Sequence, residues 1–495
     1  MVTAPARANP NDHGTPYADA VSGNAAQDLL RLNVPGHSAD HGSAPELMDY
    51  FGADVLKKDV SPLLTGIDKG PGNAYDRSVV LAAQAWGARR TWFLTNGASQ
   101  ANRMGALALG AFGQADQPVL VQRSAHSSFI DGIILAGLTP VFLQPVLDDR
   151  YGIAHGVAPA ELERTLAETD NPKGVYVVTP SYFGAVSDVP ALAGIAHAAG
   201  VPLMVDEAWG AHFGFHPQLP QNALSHGADL VVSSTHKLGG SLTQSAMLHL
   251  ADGPFADALE PLVQRAFMLT MSTSESALLI ASLDIARNSL QNGQARIGAS
   301  IAAAERIRQR IRDGGRFTIV SDSWSPQEAV AVDPLRISVD VRSAGLNGNA
   351  VREEMMLVDG VYTEISTDAC IVAFLGPGFE PDGDRFVAAL NRLEPSGRLA
   401  YAETHTLPLP RTGELRIRPR DAWFAPAVAV DAREAIGRVS ADSLAAYPPG
   451  IPNVLPGEVI SAEVVEFLQK VAASPGGYVR GARDSAVDTI RVVTL

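Results

Sequence analysis

Between residues 75 and 250 the sequence alternates short apolar runs with longer Ala- and Leu-rich stretches. The runs are Thr91-Trp92-Phe93-Leu94-Thr95, Pro118-Val119-Leu120-Val121, Thr139-Pro140-Val141-Phe142-Leu143, Gly174-Val175-Tyr176-Val177-Val178, Pro202-Leu203-Met204-Val205 and Leu230-Val231-Val232-Ser233. Segments this short and this continuously apolar read as strands buried on both faces, with the intervening stretches as the helices that cover them. That rhythm confines the chain to an α/β fold around a mainly parallel sheet. In open sheets of this kind ligands gather beyond the carboxyl ends of the strands. The residues that follow each run are therefore the candidates for chemistry.

Asn96-Gly97-Ala98-Ser99-Gln100 follows the first run, His126 comes soon after the second, Ser181-Tyr182-Phe183-Gly184 follows the fourth, Asp206 ends the fifth, and Lys237 lies past the sixth. An unpaired carboxylate is costly to bury, so Asp206 either caps the next helix or faces a cationic partner. Lys237 follows Ser234, Thr235 and His236 and precedes Gly239-Gly240, a setting that places a neutral, nucleophilic amine at a pocket edge. An amine and a carboxylate so arranged match pyridoxal 5'-phosphate: the amine forms a Schiff base with the aldehyde, and the carboxylate keeps the pyridine nitrogen protonated. The Asn96–Asn102 loop joins a strand to an Ala-rich helix, so its backbone N–H groups and the Ser99 hydroxyl are placed to cradle a phosphate. Ser234 and His236 offer that phosphate a second side. His126 either starts the next helix or stacks on the cofactor ring.

At 495 residues the chain is roughly three times a domain of about 150, which predicts one large subunit with two or three lobes. We expect an N-terminal arm over 1–74, a large cofactor-binding domain over 75–312 and a smaller α+β domain over 313–495. Long helices are predicted from Glu275 to Arg312, with a hinge near Asp313-Gly314-Gly315. Leu335–Val341 and Cys370–Leu375 read as strands of the smaller domain, and Ala422-Trp423-Phe424 and Tyr447-Pro448-Pro449-Gly450-Ile451-Pro452 as punctuation in its later half. No apolar run reaches the roughly 20 residues needed to cross a bilayer. The opening Met1–Pro10 lacks an apolar core and reads as a disordered lead rather than a signal peptide, so the cytoplasm is the expected compartment. Cys370 is the sole cysteine, which excludes an intramolecular disulfide and a Cys-based zinc site, and no metal is expected. The net charge of −15, without a basic cluster to offset it, argues against nucleic acid and suits a cationic small substrate.

Taken together, Pro35-Gly36-His37, Thr95-Asn96-Gly97, Arg123-Ser124-Ala125-His126-Ser127-Ser128, Val205-Asp206-Glu207-Ala208-Trp209-Gly210-Ala211-His212-Phe213, Ser233-Ser234-Thr235-His236-Lys237, Ala281-Ser282-Leu283-Asp284 and Tyr447–Pro452 resemble the bacterial ornithine/lysine/arginine decarboxylase family. The resemblance implies an aspartate-aminotransferase-like subunit (fold type I) in which Lys237 carries the cofactor, Asp206 pairs with the pyridine nitrogen and His126 stacks on the ring. It implies that Gly97, Ala98, Ser99, Ser234 and His236 hold the phosphate, and that Ala208 and Trp209 line the cofactor's other side. It also implies at least a homodimer with a shared site, Thr273 and Ser274 reaching the partner's phosphate. Three positions depart from the family pattern: Ala98 stands where Thr is frequent, Ser38 where Lys is common, and Glu275 where Pro follows Thr-Ser. The chain opens near the catalytic region, so the receiver-like domain of the long acid-induced members and their large ring assemblies are not expected. The implied activity is α-decarboxylation of a basic L-amino acid, arginine first and lysine or ornithine next, with Glu364 a candidate for the distal cation. Its rivals are transamination or oxidative deamination on the same cofactor, and a catalytically silent regulatory homologue.

Overall fold

All six expected strands form, at Arg90–Leu94, Val119–Gln122, Pro140–Leu143, Val175–Val178, Leu203–Asp206 and Leu230–Ser233. The computed structural model describes residues 14–401, 410, 412–447, 451–474 and 477–494. The expected lead over Met1–Pro10 and the Pro448-Pro449-Gly450 portion of the later motif lie outside the described residues. A seventh strand, Ala246–Leu250, joins the six between Arg90–Leu94 and Leu230–Ser233, and it is antiparallel to both. The other neighbours pair in parallel, in the order Leu230–Ser233, Leu203–Asp206, Val175–Val178, Val119–Gln122 and Pro140–Leu143. The seventh strand escapes a reading based on β-branched runs because its residues are Ala246, Met247, Leu248, His249 and Leu250, all with weak strand preference.

Successive strand residues point to opposite faces, and here both faces are buried. Phe93, Leu120, Val175, Val177, Leu203, Val205, Val231 and Met247 enter one core, which continues through Leu283, Ile301 and Ile307 of the long helices Ala277–Gln291 and Gln294–Gly314. Leu94, Val121, Tyr176, Met204, Val232 and Leu248 enter the other, beneath Met104 and Leu109 of helix Gly97–Ala111, Phe129 and Ile133 of helix Ser127–Ala136, and Leu259 and Val263 of helix Ala256–Thr270. The expected break near residue 314 is a helix end: Gly314 closes the last helical turn and Gly315 caps it at φ 63°, a backbone that side chains rarely adopt.

Past that cap, Thr318–Ile319, Arg336–Asp340, Cys370–Phe374 and Ile365–Ser366 form a four-stranded antiparallel sheet whose Ile337, Val339 and Ile371 extend the first core. Residues 427–493 build two further sheets, Ala427–Asp431 with Thr489–Val493, and Ile451–Val454 with Leu444–Tyr447 and Tyr478–Arg480. Their core of Leu444, Val454, Val464, Leu468, Ile490 and Val492 is separate. Two stretches expected to be punctuation are regular structure: Ala422-Trp423-Phe424 ends the helix Pro419–Phe424, and Tyr447 and Ile451-Pro452 belong to paired strands. Buried Arg123 ties this body to the large sheet, donating to Pro452 O at 2.6 Å and to Glu458 Oε2 at 3.2 Å. No helix among the described residues is long and apolar enough to cross a membrane.

Candidate active site

Asp206 is the last residue of its strand and is 3% exposed. Its Oδ2 accepts from Asn102 Nδ2 and from the Tyr176 hydroxyl, both at 2.8 Å, and its Oδ1 accepts from the backbone N–H of Ala208 at 3.0 Å. These donors are neutral. Among the described residues no lysine, arginine or histidine forms an ion pair with Asp206, so the cation expected to face it is not supplied by these side chains. A buried carboxylate kept ordered by neutral donors fits a protonated heterocyclic nitrogen as its missing partner. Its neighbour Glu207 is different: its Oε1 takes the N–H of Ala223 at 2.9 Å, and burial raises its carboxyl well above the usual range, which favours the neutral form.

Lys237 sits in the one-turn helix Thr235–Leu238, with its amine 4.0 Å from the ring centroid of Trp209. Burial brings that amine down to about 8; Asp206 and Glu364 act against this shift and Arg336 adds to it. A fraction of the amine is thus neutral near physiological pH, as nucleophilic attack on an aldehyde requires. His126 is the N-cap of helix Ser127–Ala136, its Nδ1 3.2 Å from Ser128 N and 2.8 Å from Ser128 Oγ. Burial, reinforced by the charge of Lys237, lowers its imidazole to about 4, while Asp206 opposes the change. The residue starts a helix, as one of its two expected readings had it, and its neutral ring is a neighbour of Lys237 and Asp206.

Gly97, Ala98 and Ser99 form the first turn of helix Gly97–Ala111, whose N-cap Asn96 makes no side-chain cap bond. Gly97 holds φ 73°, which a side chain would strain. The turn is linked to the Lys237 segment through residues 244 and 245: Gln244 Nε2 lies 3.5 Å from Asn96 Oδ1, and His236 Nδ1 lies 2.9 Å from Ser245 O. Buried Ser234 places its Oγ 3.4 Å from His236 Nδ1. Free N–H groups at a helix start, a serine hydroxyl and an imidazole make a chemically suitable phosphate cradle. Ala208 is half-buried beside Asp206, and Trp209 is buried. Thr273 and Ser274 are exposed on the loop before helix Ala277–Gln291, next to Glu275, which accepts from Thr95 Oγ1 at 3.3 Å.

Three residues outside the sequence-based list belong to this geometry. Asn102 and Tyr176 hold Asp206, and their signal was polarity out of place, an Asn in an Ala-rich helix and a Tyr in an aliphatic strand. Arg336, 2% exposed, puts its guanidinium carbon 4.2 Å from the Trp209 centroid, and it too is a charge inside an apolar strand. A different group, Asp148, His155 and Glu328, brings possible metal-ligating atoms within 4.8 Å of one another. The Arg150 guanidinium bonds both carboxylates there, at 3.0 Å and 2.7 Å, and already neutralises them.

Comparison with known proteins agrees with this architecture. The family model described as Orn/Lys/Arg decarboxylase, major domain, matches residues 15–370, and that described as Orn/Lys/Arg decarboxylase, C-terminal domain, matches 416–476. The chain is 32% identical over 490 residues to the arginine decarboxylase of Bacillus subtilis (strain 168), covering 98% of each. It is 24% identical to the lysine decarboxylase of Hafnia alvei, over 97% of this chain and 78% of that one. Among solved structures, lysine decarboxylase A of Pseudomonas aeruginosa superposes with a TM-score of 0.82 at 19% identity, over 97% of this chain and 80% of that one. The serine palmitoyltransferase of Sphingomonas wittichii, at TM-score 0.52 and 15% identity over 76% of this chain and 84% of that one, shares the fold type I scaffold. With both family domains present in order and a relative matched almost end to end, the chain belongs to the ornithine/lysine/arginine decarboxylase family.

Proposed function

We propose that this protein is a pyridoxal phosphate-dependent decarboxylase of a basic L-amino acid, with arginine as the first-choice substrate and agmatine as the product. One observation carries the reading: the buried Asp206 carboxylate, ordered by Asn102, Tyr176 and Ala208 but without an ion-pair partner among the described residues, shares its surroundings with the destabilised ammonium of Lys237. Lys237 Nζ would tether the cofactor, Asp206 would pair with its pyridine nitrogen, and His126 would lie against its ring. Gly97, Ala98, Ser99, Ser234 and His236 would hold its phosphate, with Ala208 and Trp209 on the other side. When bound, pyridoxal phosphate supplies an electron sink for the bond broken at the substrate α-carbon. Lys237 Nζ, partly neutral near physiological pH, would also hold and return a proton at that carbon. His126, neutral at working pH, adds no positive charge to compete with Asp206. In this reading residues 75–312 form the cofactor domain between an arm at 1–74 and the remainder at 313–495. A homodimer would complete the site through Thr273 and Ser274.

Arginine heads the list because the relatives at 31–32% identity are arginine decarboxylases, whereas the lysine decarboxylases stand at 26% or below. Glu364, one of the charges acting on Lys237, His236 and Arg336, is a suitable carboxylate for the distal cation of the substrate. The test is incubation of purified protein and pyridoxal phosphate with arginine, lysine and ornithine in turn, measuring carbon dioxide and amine. Carbon dioxide release with arginine, abolished in Lys237→Ala, is the expected result. A keto acid without carbon dioxide would overturn the decarboxylase assignment, and turnover in Lys237→Ala would overturn the role of that lysine.

A further inference from the structure

Trp209 is shared by two cationic groups. With Lys237 Nζ 4.0 Å and Arg336 Cζ 4.2 Å from the same ring centroid, the charges stand no more than about 8 Å apart, within one Debye length at physiological salt. Arg336 is not a solvated cation that has drifted there. It is buried in the strand Arg336–Asp340, its Nη2 lies 3.5 Å from Trp209 O, and its Nε lies 3.4 Å from Asp333 Oδ2. Asp333 is itself fully buried, 3.1 Å from His212 Nε2, and accepts from Leu335 N at 3.0 Å. Burial pushes the Asp333 carboxyl up, but His212 and Arg336 outweigh it and hold the group below its usual range, so it stays a charged anchor. Arg336 Nε and Nη1 have no hydrogen-bond partner among the described residues. A guanidinium this deeply buried and this incompletely bonded is poorly explained as a structural ion pair.

We propose that Arg336 is a positioning residue for Lys237: anchored by the Asp333–His212 pair, it fixes the Trp209 ring beside the amine and disfavours a second full positive charge there. The inference rests on the reading that Lys237 is the cofactor-bearing amine, and adds the device that keeps this amine reactive. The charged and titratable groups facing Lys237 are Asp206 and Glu364, which favour the ammonium, Arg336, which opposes it, and the imidazoles of His126 and His236, both lowered chiefly by burial. Arg336 is thus the permanent cation among them.

The test uses cofactor-free full-length protein, so that its readout is independent of turnover. Lys237 is acylated by a limiting anhydride across a pH series, and its modification is quantified by peptide mass spectrometry. At about 8 Å and an effective dielectric of about 20, removing a unit charge shifts a neighbour's titration by roughly 1.5 pH units. The labelling midpoint of Lys237 should therefore rise by about that much in Arg336→Gln and Arg336→Met, and Arg336→Lys should recover most of it. Should the single neutral variants fail to fold, Arg336→Met/Asp333→Asn removes the anchored pair together, and Asp333 is not among the charges acting on Lys237. An unchanged midpoint in a neutral variant with wild-type near-ultraviolet circular dichroism overturns the proposal. So does a raised KM with the labelling curve unmoved, which marks a guanidinium that touches only substrate. Either result leaves the decarboxylase reading standing if wild-type protein releases carbon dioxide and Lys237→Ala does not.

Discussion

Buried Glu275 lies beside Thr95, and its environment makes a quantitative prediction. The residue is 9% exposed and accepts from Thr95 Oγ1; burial raises its carboxyl from 4.5 to about 7, a rise that the Thr95 bond partly offsets. The folded protein therefore keeps a proton over a range in which the unfolded chain has released it. With the folded pKa above the unfolded one, the stabilisation is fully present below pH 4.5 and is lost as pH rises through about 7. A displacement of that size corresponds to about 3 kcal/mol between the two limits. Glu275→Gln keeps a carbonyl for Thr95 and removes the ionisation, but introduces an amide N–H whose incomplete bonding costs about 1 kcal/mol. The variant should be equal to or slightly less stable than wild type near pH 5 and about 2 kcal/mol more stable at pH 8, a gain of a few degrees for a chain of this size. Thermal unfolding of cofactor-free protein at those two pH values reads the difference directly. If the gap between variant and wild type is the same at both, Glu275 does not ionise within this window and the reasoning fails.

Tyr176→Phe removes one donor from Asp206, a bond to a charged group worth roughly 1.5–3 kcal/mol, so pyridoxal phosphate should bind at least about tenfold more weakly by absorbance titration; an unaltered Kd counts against the role of Asp206. Arg123→Ala strands the buried Glu458 and should cost roughly 3 kcal/mol, seen as faster proteolytic release of the 427–494 body, whereas wild-type resistance would show that the tie is unimportant. His249, pushed down to about 3 by burial, stays neutral in the fold while the unfolded chain takes up a proton near 6.5. Stability should fall as pH drops from 6.5 toward 3, by about 2 kcal/mol at pH 5, and His249→Gln should flatten that decline in urea midpoints. An acid slope identical to wild type would assign the decline to other groups.

Much of the large sheet was legible because parallel strands buried on both faces leave a local signature, a continuous apolar run, and need no knowledge of their partners. The antiparallel strand Ala246–Leu250 lacks that signature, since its place between Arg90–Leu94 and Leu230–Ser233 is a matter of topology. The later half of the chain was less legible for a related reason. Proline and aromatic residues there suggested turns, yet Pro452 sits in an edge strand paired with Ala445 of Leu444–Tyr447, and Arg123 donates to its carbonyl. In the candidate site, the sequence pointed to the residues next to strand ends and to Glu364, while Arg336 arrives from a second sheet whose approach is set by long-range packing.

Asn102 and Tyr176 were nonetheless accessible from strand parity. Met204 points into the core beneath helix Gly97–Ala111, and Val205 points to the opposite face. Asp206 is two residues from Met204 and must share its face, whereas Glu207 begins the turn and is free to go elsewhere. Tyr176 is paired with Met204 across the parallel ladder, so its hydroxyl reaches along the same face toward the strand end. Helix Gly97–Ala111 covers that face, and Asn102 lies near its start with only 1% of its surface exposed. Parity alone thus separates two adjacent acids: the one that meets Asn102 and Tyr176 is kept ordered by three donors, and the other, with a single backbone donor, is driven toward the neutral form. The same pleat that builds the core therefore decides which carboxyl is available to a cationic ring.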